Sequence, residues 1–449
     1  MGGNVIMIDK NKVRRIMRLR NIKTQSELAE KMGITKNQLS NMLSPKFCPI
    51  KSNVQLLLEV LECDLQDIIV DKKNQVNERV VQLSIFDIED EQSHTSQNSN
   101  DDDFVDVTNV TPKRDYTVVE LFAGAGGLAL GLEQAGFKTV GLVEIDKHCA
   151  NTLKANRPQW NVINEDIQLV VEKGIREYIG DVEVDLVSGG YPCQAFSYAG
   201  KKLGFEDTRG TLFYPYAKVL EELKPKMFLA ENVRGLVSHD KGRTLQTMIN
   251  VFKEIGYNVT FKVLNAWDYG VAQKRERIII IGVRDDIQFE DGFTYRFPKP
   301  LEYKPVLRDV LKDVPKSIGA KYPESKRKVL ELVPPGGYWK DLPEDIAKQY
   351  MGKSYYSGGG RTGMARRLSW DEPCLTLTCS PAQKQTERCH PDETRPFTVR
   401  EYARIQSFPD EWIFTGSMSE QYKQIGNAVP VNLAKMVGLS IIHALNHVK

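Results

Sequence analysis

A chain of 449 residues, 41% apolar and 27% charged, has room for about two or three domains and a sizeable buried core. No run approaches the ~18 uninterrupted apolar residues of a membrane span, and the opening MGGNVIMIDKNKVRR has no long apolar signal core, so a cytoplasmic location is expected. The seven cysteines (48, 63, 149, 193, 374, 379, 389) include no Cys-x-x-Cys, which excludes a disulfide framework, and the net charge of +2 conceals a basic first segment: residues 1–60 hold eleven Lys/Arg against four Asp/Glu.

Within that basic segment, Gln25 to Leu43 (QSELAEKMGITKNQLSNML) reads as two short helices broken at Gly33, with Leu28, Met32, Ile34, Leu39 and Met42 as the apolar seam. Ala29, Gly33 and Leu39 have helix-turn-helix spacing, and Val13 to Arg20 and Val54 to Leu61 supply flanking helices. The segment resembles the lambda-repressor-like DNA-binding domains. That resemblance implies that Thr35, Lys36, Asn37, Gln38, Ser40 and Asn41 line a recognition helix in a major groove, with Gln25 at a helix start near a phosphate. The competing reading is a plain helical bundle whose charges form a solvated face.

From about Asp71 to Asp115 the composition turns to Asn, Gln, Ser and Asp, which cannot repay the entropy of folding, so residues 71–114 are read as a flexible linker after a 1–70 domain. Inside it Gln82-Leu83-Ser84-Ile85-Phe86 is an apolar island. It resembles the bacterial sliding-clamp-binding peptide; the alternative is a hook that docks on the protein's own surface.

After Tyr116 strand and helix patterns alternate: Thr117 to Phe122, a glycine turn, a helix to Ala135, then strands at Thr139 to Val143, Val184 to Val187, Met227 to Ala230 and Ile278 to Val283. This predicts an α/β, mostly parallel sheet with ligands at the carboxyl ends of its strands. The first strand ends in Glu120-Leu-Phe-Ala-Gly-Ala-Gly-Gly-Leu128, where Gly124, Gly126 and Gly127 let the backbone approach a small molecule. Glu144-Ile145-Asp146 follows about twenty residues on, placed for ribose hydroxyls, and Glu165-Asp166-Ile167 brings a third acid. Glycine turn, ribose acid and base-edge acid in that order point to S-adenosylmethionine; the bland alternative is three unrelated surface acids beside a structural turn.

Next, Ser188-Gly189-Gly190-Tyr191-Pro192-Cys193-Gln194 sets a cysteine on a tight turn whose free amides lower a thiol pKa. Glu231-Asn232-Val233 ends the following strand at the same sheet edge. Gln273, Arg275 and Arg277 alternate onto one side of an extended segment, and Gln424 to Pro430 leads into a final apolar helix.

Taken together, F-A-G-A-G-G, the acid at 144, Asp166, P-C-Q, G-F-E-D-T-R-G-T-L-F (204–213), E-N-V, Q-x-R-x-R, R-P-F-T-V-R-E-Y-A-R-I-Q-S-F-P (395–409) and Q-I-G-N-A-V-P resemble the DNA cytosine-5 methyltransferase family over residues 116–283 and 395–449, in the family's order. The resemblance implies a Rossmann-like catalytic domain over 115–285 and 416–449 and a smaller target-recognition domain over 286–415. It implies that Cys193 adds to C6 of a flipped cytosine, that Glu231 serves N3, that Arg275 and Arg277 hold the exocyclic oxygen and neighbouring backbone, and that Gln194 fills the gap in the duplex. For the cofactor it implies Phe122 packed on the adenine, Leu128 beside the glycine turn, Glu144 on the ribose, Ile145 and Ile167 sandwiching the base and Asp166 on its amino group. Pro192, Leu212, Asn427 and Val429 complete that pocket. Tyr191 departs from the family, where Pro often precedes the Pro-Cys pair.

The segment from Arg284 to Thr394 fits no catalytic block and is expected to read the target, with Thr376-Leu377 resembling the Thr-Leu element of such regions and Thr376 and Gln273 on the DNA side. Cys374, Cys379, Cys389 and His390 match no ordinary zinc spacing, so no metal is expected. A type II restriction-modification methylase acting on double-stranded DNA is the favoured reading, its first domain controlling its own promoter. The rivals are a transfer-RNA cytosine-5 methyltransferase and a regulator with an inactive methylase domain.

Overall fold

The computed structural model describes residues 103–191, 211–290, 292–356 and 363–449, together with residues 13, 16, 17, 20, 22, 24–32, 39, 57, 58, 60 and 61. The chain divides into two compact units, residues 1–97 and 98–449.

In the first unit, helix α1 (Gln25–Lys31) starts where Thr24, in extended conformation, accepts a hydrogen bond from the amide of Glu27, an N-cap that satisfies one of the free donors of the first turn. Its buried face, Leu28, Ala29 and Met32, packs with Val13, Met17, Ile22, Leu39, Leu57 and Leu61, as the helix-turn-helix seam requires. Arg20 Nε ties the flanking helices by donating to the carbonyl of Leu61 at 3.1 Å. Thr35, Lys36, Asn37, Gln38, Ser40 and Asn41, and the Gln82–Phe86 peptide, lie outside the described residues.

The second unit begins with β1 (Phe104–Val105) and is built on seven further strands: β2 (Tyr116–Leu121), β3 (Phe137–Val143), β4 (Val162–Ile163), β5 (Leu186–Gly189), β6 (Met227–Val233), β7 (Tyr257–Asn265) and, after β8 (Gln273–Lys274), β9 (Glu276–Arg284). The sheet order is β4-β3-β2-β5-β6-β9-β7, and every pairing is parallel except the two made by β9, which alone runs in reverse. Strand β7 is absent from the sequence reading because Asn258, Thr260 and Lys262 break its apolar run, as suits a strand at the sheet edge.

Helices cover both faces. On one, α2 (Gly127–Ala135) crosses the carboxyl-terminal helix so closely that a Cβ on Gly131 would lie 2.4 Å from the Ala434 Cβ. On the other, α5 (Phe213–Leu223) and α6 (Arg243–Glu254) close a cluster centred on Tyr216, Phe228 and Phe252, following α3 (Lys147–Asn156) and α4 (Ile167–Lys173) in the chain. A lobe with its own core (Tyr322, Leu330, Val333, Leu342, Ala347, Ala365, Cys389) contains α7 (Glu324–Glu331) and α8 (Glu344–Met351). Its buried Glu387 pairs with Lys326 Nζ at 2.7 Å and accepts from the Tyr350 hydroxyl. The chain returns through α9 (Val399–Ile405), α10 (Met418–Asn427) and α11 (Val431–Leu445); the apolar run over 418–445 is mostly buried inside the protein, as a core helix is.

Two composition-based boundaries shift. Residues 103–114 are packed rather than linker: β1 pairs with β10 (Phe297–Pro298), Val107 is buried in the main core, and Arg114 Nη1 donates to Asp185 at 3.0 Å. Four apolar side chains in a polar stretch, Phe104, Val105, Val107 and Val110, pack on the main core. The ends of the 286–415 segment likewise join the catalytic core, since Tyr295 and Phe297 pack with α11, while Phe397, Tyr402 and Trp412 pack beneath the glycine turn. The last turn of α11 meets the start of the unit, where Asn446 Oδ1 accepts from the Lys113 amide and the Tyr116 hydroxyl, both at 2.9 Å.

Candidate active site

Strand register builds the site. Ile163, Val143, Leu121, Gly189, Ala230 and Ile280 lie side by side across the sheet. One residue beyond this row at the carboxyl ends of β3, β2, β5 and β6 come Glu144, Phe122, Gly190 and Glu231, so four separated motifs share one edge.

At the Phe122 end the backbone is contorted for close approach. Phe122 has φ +58°, a left-handed conformation that costs a bulky residue about 1 kcal/mol or more, and Gly124 (φ +55°) and Gly126 (φ +85°) continue the turn. A Cβ on Gly124 would point into open space, whereas one on Gly126 would lie 2.6 Å from Leu153 Cδ2 and 3.0 Å from Trp412 Cζ2. Trp412, which sequence reasoning missed, is buried and donates through Nε1 to the Ala125 carbonyl at 3.2 Å, holding the turn from below. Gly127 packs the start of α2 against the Val429 carbonyl, only 2.2 Å from where a Cβ would stand.

Glu144 is 7% exposed and accepts from the amides of Gly124 (2.6 Å) and Asp146 (2.7 Å); burial raises its carboxyl pKa against those bonds. Ile145 beside it is 65% exposed, with its backbone held by Asn164 Nδ2, which donates to the carbonyls of Glu144 and Ile145. Asp166 caps α4 through the Gln168 amide at 2.9 Å. Ile167 is buried in the core cluster, so of the two isoleucines expected around an adenine only Ile145 is freely presented. Leu128 is buried within α2, Leu212 is half-buried at the start of α5, Val429 is buried, and Asn427 is exposed at the end of α10.

At the Glu231 end, Arg277 Nε lies 2.8 Å from Glu231 Oε1, both side chains being nearly nine-tenths buried. Burial raises the Glu231 pKa, and the neighbouring charges of Arg277 and Arg275 oppose it. The opposed direction of β9 is what sets this pair: Val233 faces Arg277 across the ladder. Gly190 leaves room for the carboxyl, since a Cβ there would lie 2.8 Å from Glu231 Oε2. Tyr191 is sunk among Phe213 and Tyr216, and its carbonyl accepts from Asn232 Nδ2 at 2.8 Å, which fixes the backbone two positions before Cys193 in the sequence. Pro192, Cys193 and Gln194 themselves lie outside the described residues.

Two expected contacts are corrected. Gln273 is fully buried, donating through Nε2 to Gln406 Oε1 (2.8 Å) and accepting from the Leu377 amide (2.9 Å), so it does not face DNA. Arg275 is 2% exposed and bonds the carbonyls of Leu377 (3.1 Å) and Gly426 (2.9 Å) rather than presenting its guanidinium to a substrate. Burial pushes its pKa down to about 9. Thr376 donates through Oγ1 to the Lys274 carbonyl at 2.8 Å.

This sheet order, with its reversed penultimate strand and a glycine turn after β2, defines a Rossmann-like S-adenosylmethionine-dependent methyltransferase. The C-5 cytosine-specific DNA methylases match residues 116–443, and the Cro/C1-type helix-turn-helix DNA-binding domains match residues 12–74. Among curated proteins, the type II methyltransferase M.Sau96I of Staphylococcus aureus is 60% identical over 98% of this chain and 99% of its own length. M.Eco47II of Escherichia coli is 60% identical over 74% of this chain and 80% of its own. The solved structure of a Spodoptera frugiperda DNMT2 variant, 18% identical, shares the fold over 73% of this chain and all of its own, with a TM-score of 0.53. The chain belongs to the C-5 cytosine-specific DNA methylase family: it is a DNA cytosine-5 methyltransferase with an amino-terminal helix-turn-helix domain.

Proposed function

We propose that this enzyme methylates C5 of one cytosine in a specific duplex sequence, through a transient bond from Cys193, and so protects host DNA in a restriction-modification system. The observation that carries the reading is the shared edge that sets Glu144 and Phe122 beside Gly190 and the buried Glu231–Arg277 pair. The relatives' names as type II methyltransferases support the biological setting.

The residues suit an adenosyl donor. The open cradle at Gly124, the exposed apolar face of Ile145 and the acceptor capacity left on the Glu144 carboxylate fit a nucleoside, and Asp166 and Asn427 add polar ends. When bound, S-adenosylmethionine supplies an electrophilic methyl group.

Cytosine C5 is a poor nucleophile. The Cys193 thiolate adds to C6, the ring electrons move toward N3, and N3 takes a proton from Glu231, which leaves an enamine with a nucleophilic C5. After methylation a solvent water takes the C5 proton, its electron pair re-forms the C5–C6 double bond as the C6–S bond breaks and the thiolate departs, and N3 returns its proton to Glu231. A carboxyl held back from ionising by burial suits that donor role, and Arg277 fixes its orientation and reaches for the exocyclic oxygen. The base has to leave the stack, with Gln194 filling its place.

Bisulfite sequencing of host DNA identifies the target, and a duplex carrying 5-fluorocytosine there should be trapped on the wild-type enzyme with the methyl donor but not on Cys193→Ser. Methylation that persists in Cys193→Ser, without trapping by the wild type, overturns the scheme.

The amino-terminal unit is proposed to bind the promoter of its own operon. A gel shift in which removing residues 1–97 leaves promoter affinity unchanged refutes it. The Gln82–Phe86 peptide is proposed to bind the sliding clamp, and unaltered clamp retention after Leu83→Ala and Phe86→Ala disposes of that. Action on chromosomal DNA places the protein in the bacterial cytoplasm.

A further inference from the structure

Three stretches far apart in sequence meet at one buried junction. The strand β11 (Cys374–Leu375), leaving the target-reading lobe, pairs in parallel with β8, Cys374 beside Gln273 and Leu375 beside Lys274. Arg275 then forks: Nη1 holds the Leu377 carbonyl and Nη2 the Gly426 carbonyl. Its Nε is buried without a partner, and no carboxylate bonds this guanidinium among the described residues. A buried charge that bonds no carboxylate is costly even with the Glu231 charge nearby, so its use here is geometric: a rigid planar fork sets two carbonyls at a fixed separation.

What the fork brings together is close to the proposed cofactor pocket. A Cβ on Gly426 would lie 2.6 Å from the Thr378 carbonyl and 2.7 Å from the Cys379 amide nitrogen, so the two backbones touch there. At the tip of the segment, the exposed thiol of Cys379 donates to Asn427 Oδ1 at 2.9 Å. With that oxygen engaged, the orientation of the carboxamide is set and its Nδ2 donors remain for another partner.

We infer that Arg275 and Cys379 are positioning residues for the cofactor: the guanidinium seats residues 374–379 on the Gly426 backbone, and the thiol at the tip turns the Asn427 amide donors toward S-adenosylmethionine. This rests on the reading that Asn427 lines the cofactor pocket. It makes the strand that leaves the target-reading lobe a part of the pocket wall.

Calorimetric titration of the full chain with S-adenosylhomocysteine tests it. Losing one hydrogen bond should weaken binding about three- to tenfold in Cys379→Ala, while Cys379→Ser, which keeps a donor, stays within about twofold of wild type. Arg275→Lys keeps the charge but not the fork; its KM for the donor should rise more than its kcat falls, with 5-fluorocytosine trapping intact at saturating donor. Wild-type affinity in Cys379→Ala, alongside weakened binding in Asn427→Ala, overturns the inference and leaves the cofactor reading standing. Wild-type affinity in Asn427→Ala removes the cofactor reading and the inference with it. Trapping lost in Arg275→Lys at unchanged donor affinity would make Arg275 a substrate contact instead.

Discussion

The donor role proposed for Glu231 requires a carboxyl kept from ionising too readily, and burial raises its pKa while the Arg277 charge opposes the shift. Glu231→Gln should therefore lower kcat by about 10²–10⁴ while leaving donor affinity nearly unchanged, measurable by single-turnover methylation and calorimetry. A second acid, Glu120, is 1% exposed in β2, within 3.4 Å of the Ser188 hydroxyl, and burial lifts its pKa from 4.5 to about 8. The folded protein then holds a proton that the unfolded chain has released, so the stability this side chain contributes is full below pH ~4.5 and is lost as pH rises toward 8. Glu120→Gln should gain in Tm relative to wild type between pH 5 and pH 8, and equal differences at both pH values would contradict the assignment. At this scale the acids at strand ends were legible, because ligands of parallel sheets gather there. Gln273 and Arg275 were not: alternation shows that two side chains share a side, but not whether that side meets solvent or the returning chain at Leu377, Gln406 and Gly426.

Among the elements, the contact of α2 with α11 depends on missing side chains. Gly131→Ala would drive its methyl to 2.6 Å from the Val431 carbonyl and 2.7 Å from the Lys435 amide, backbone atoms that cannot swing aside. The expected cost is about 1–3 kcal/mol, read as a lower Tm in thermal denaturation, and an unchanged Tm would show that the helices can part freely. The alternation of strand and helix revealed most of the sheet from sequence, since strands buried on both faces, such as β5 (Leu-Val-Ser-Gly) and the centre of the reversed β9 (Ile-Ile-Ile-Ile), are dominated by apolar residues. Strand β7 escaped because an edge position tolerates Lys and Asn. The direction of β9 was not legible either, because direction depends on how the connection from β7 packs rather than on any residue within the strand.

For the whole molecule, the boundary between the units has a measurable position. A chain beginning at Asn98 keeps Phe104, Val107 and Arg114 on the catalytic core and should retain methylation and most of its thermal stability. One beginning at Tyr116 loses the β1–β10 pairing and the Arg114–Asp185 bond and should melt earlier. Equal melting of the two would mean that the docked segment contributes nothing. Composition placed this boundary too late because it averages over a window in which a few apolar residues are outnumbered by Asp and Thr. Asn446 and Lys113, 333 positions apart along the chain, are hydrogen-bonded neighbours. Topologically the catalytic unit from Lys113 onward is therefore almost a closed ring, and a circular permutant spliced at that corner and reopened at the exposed Gly180–Asp181 segment gives up β1 but keeps every strand of the seven-stranded sheet.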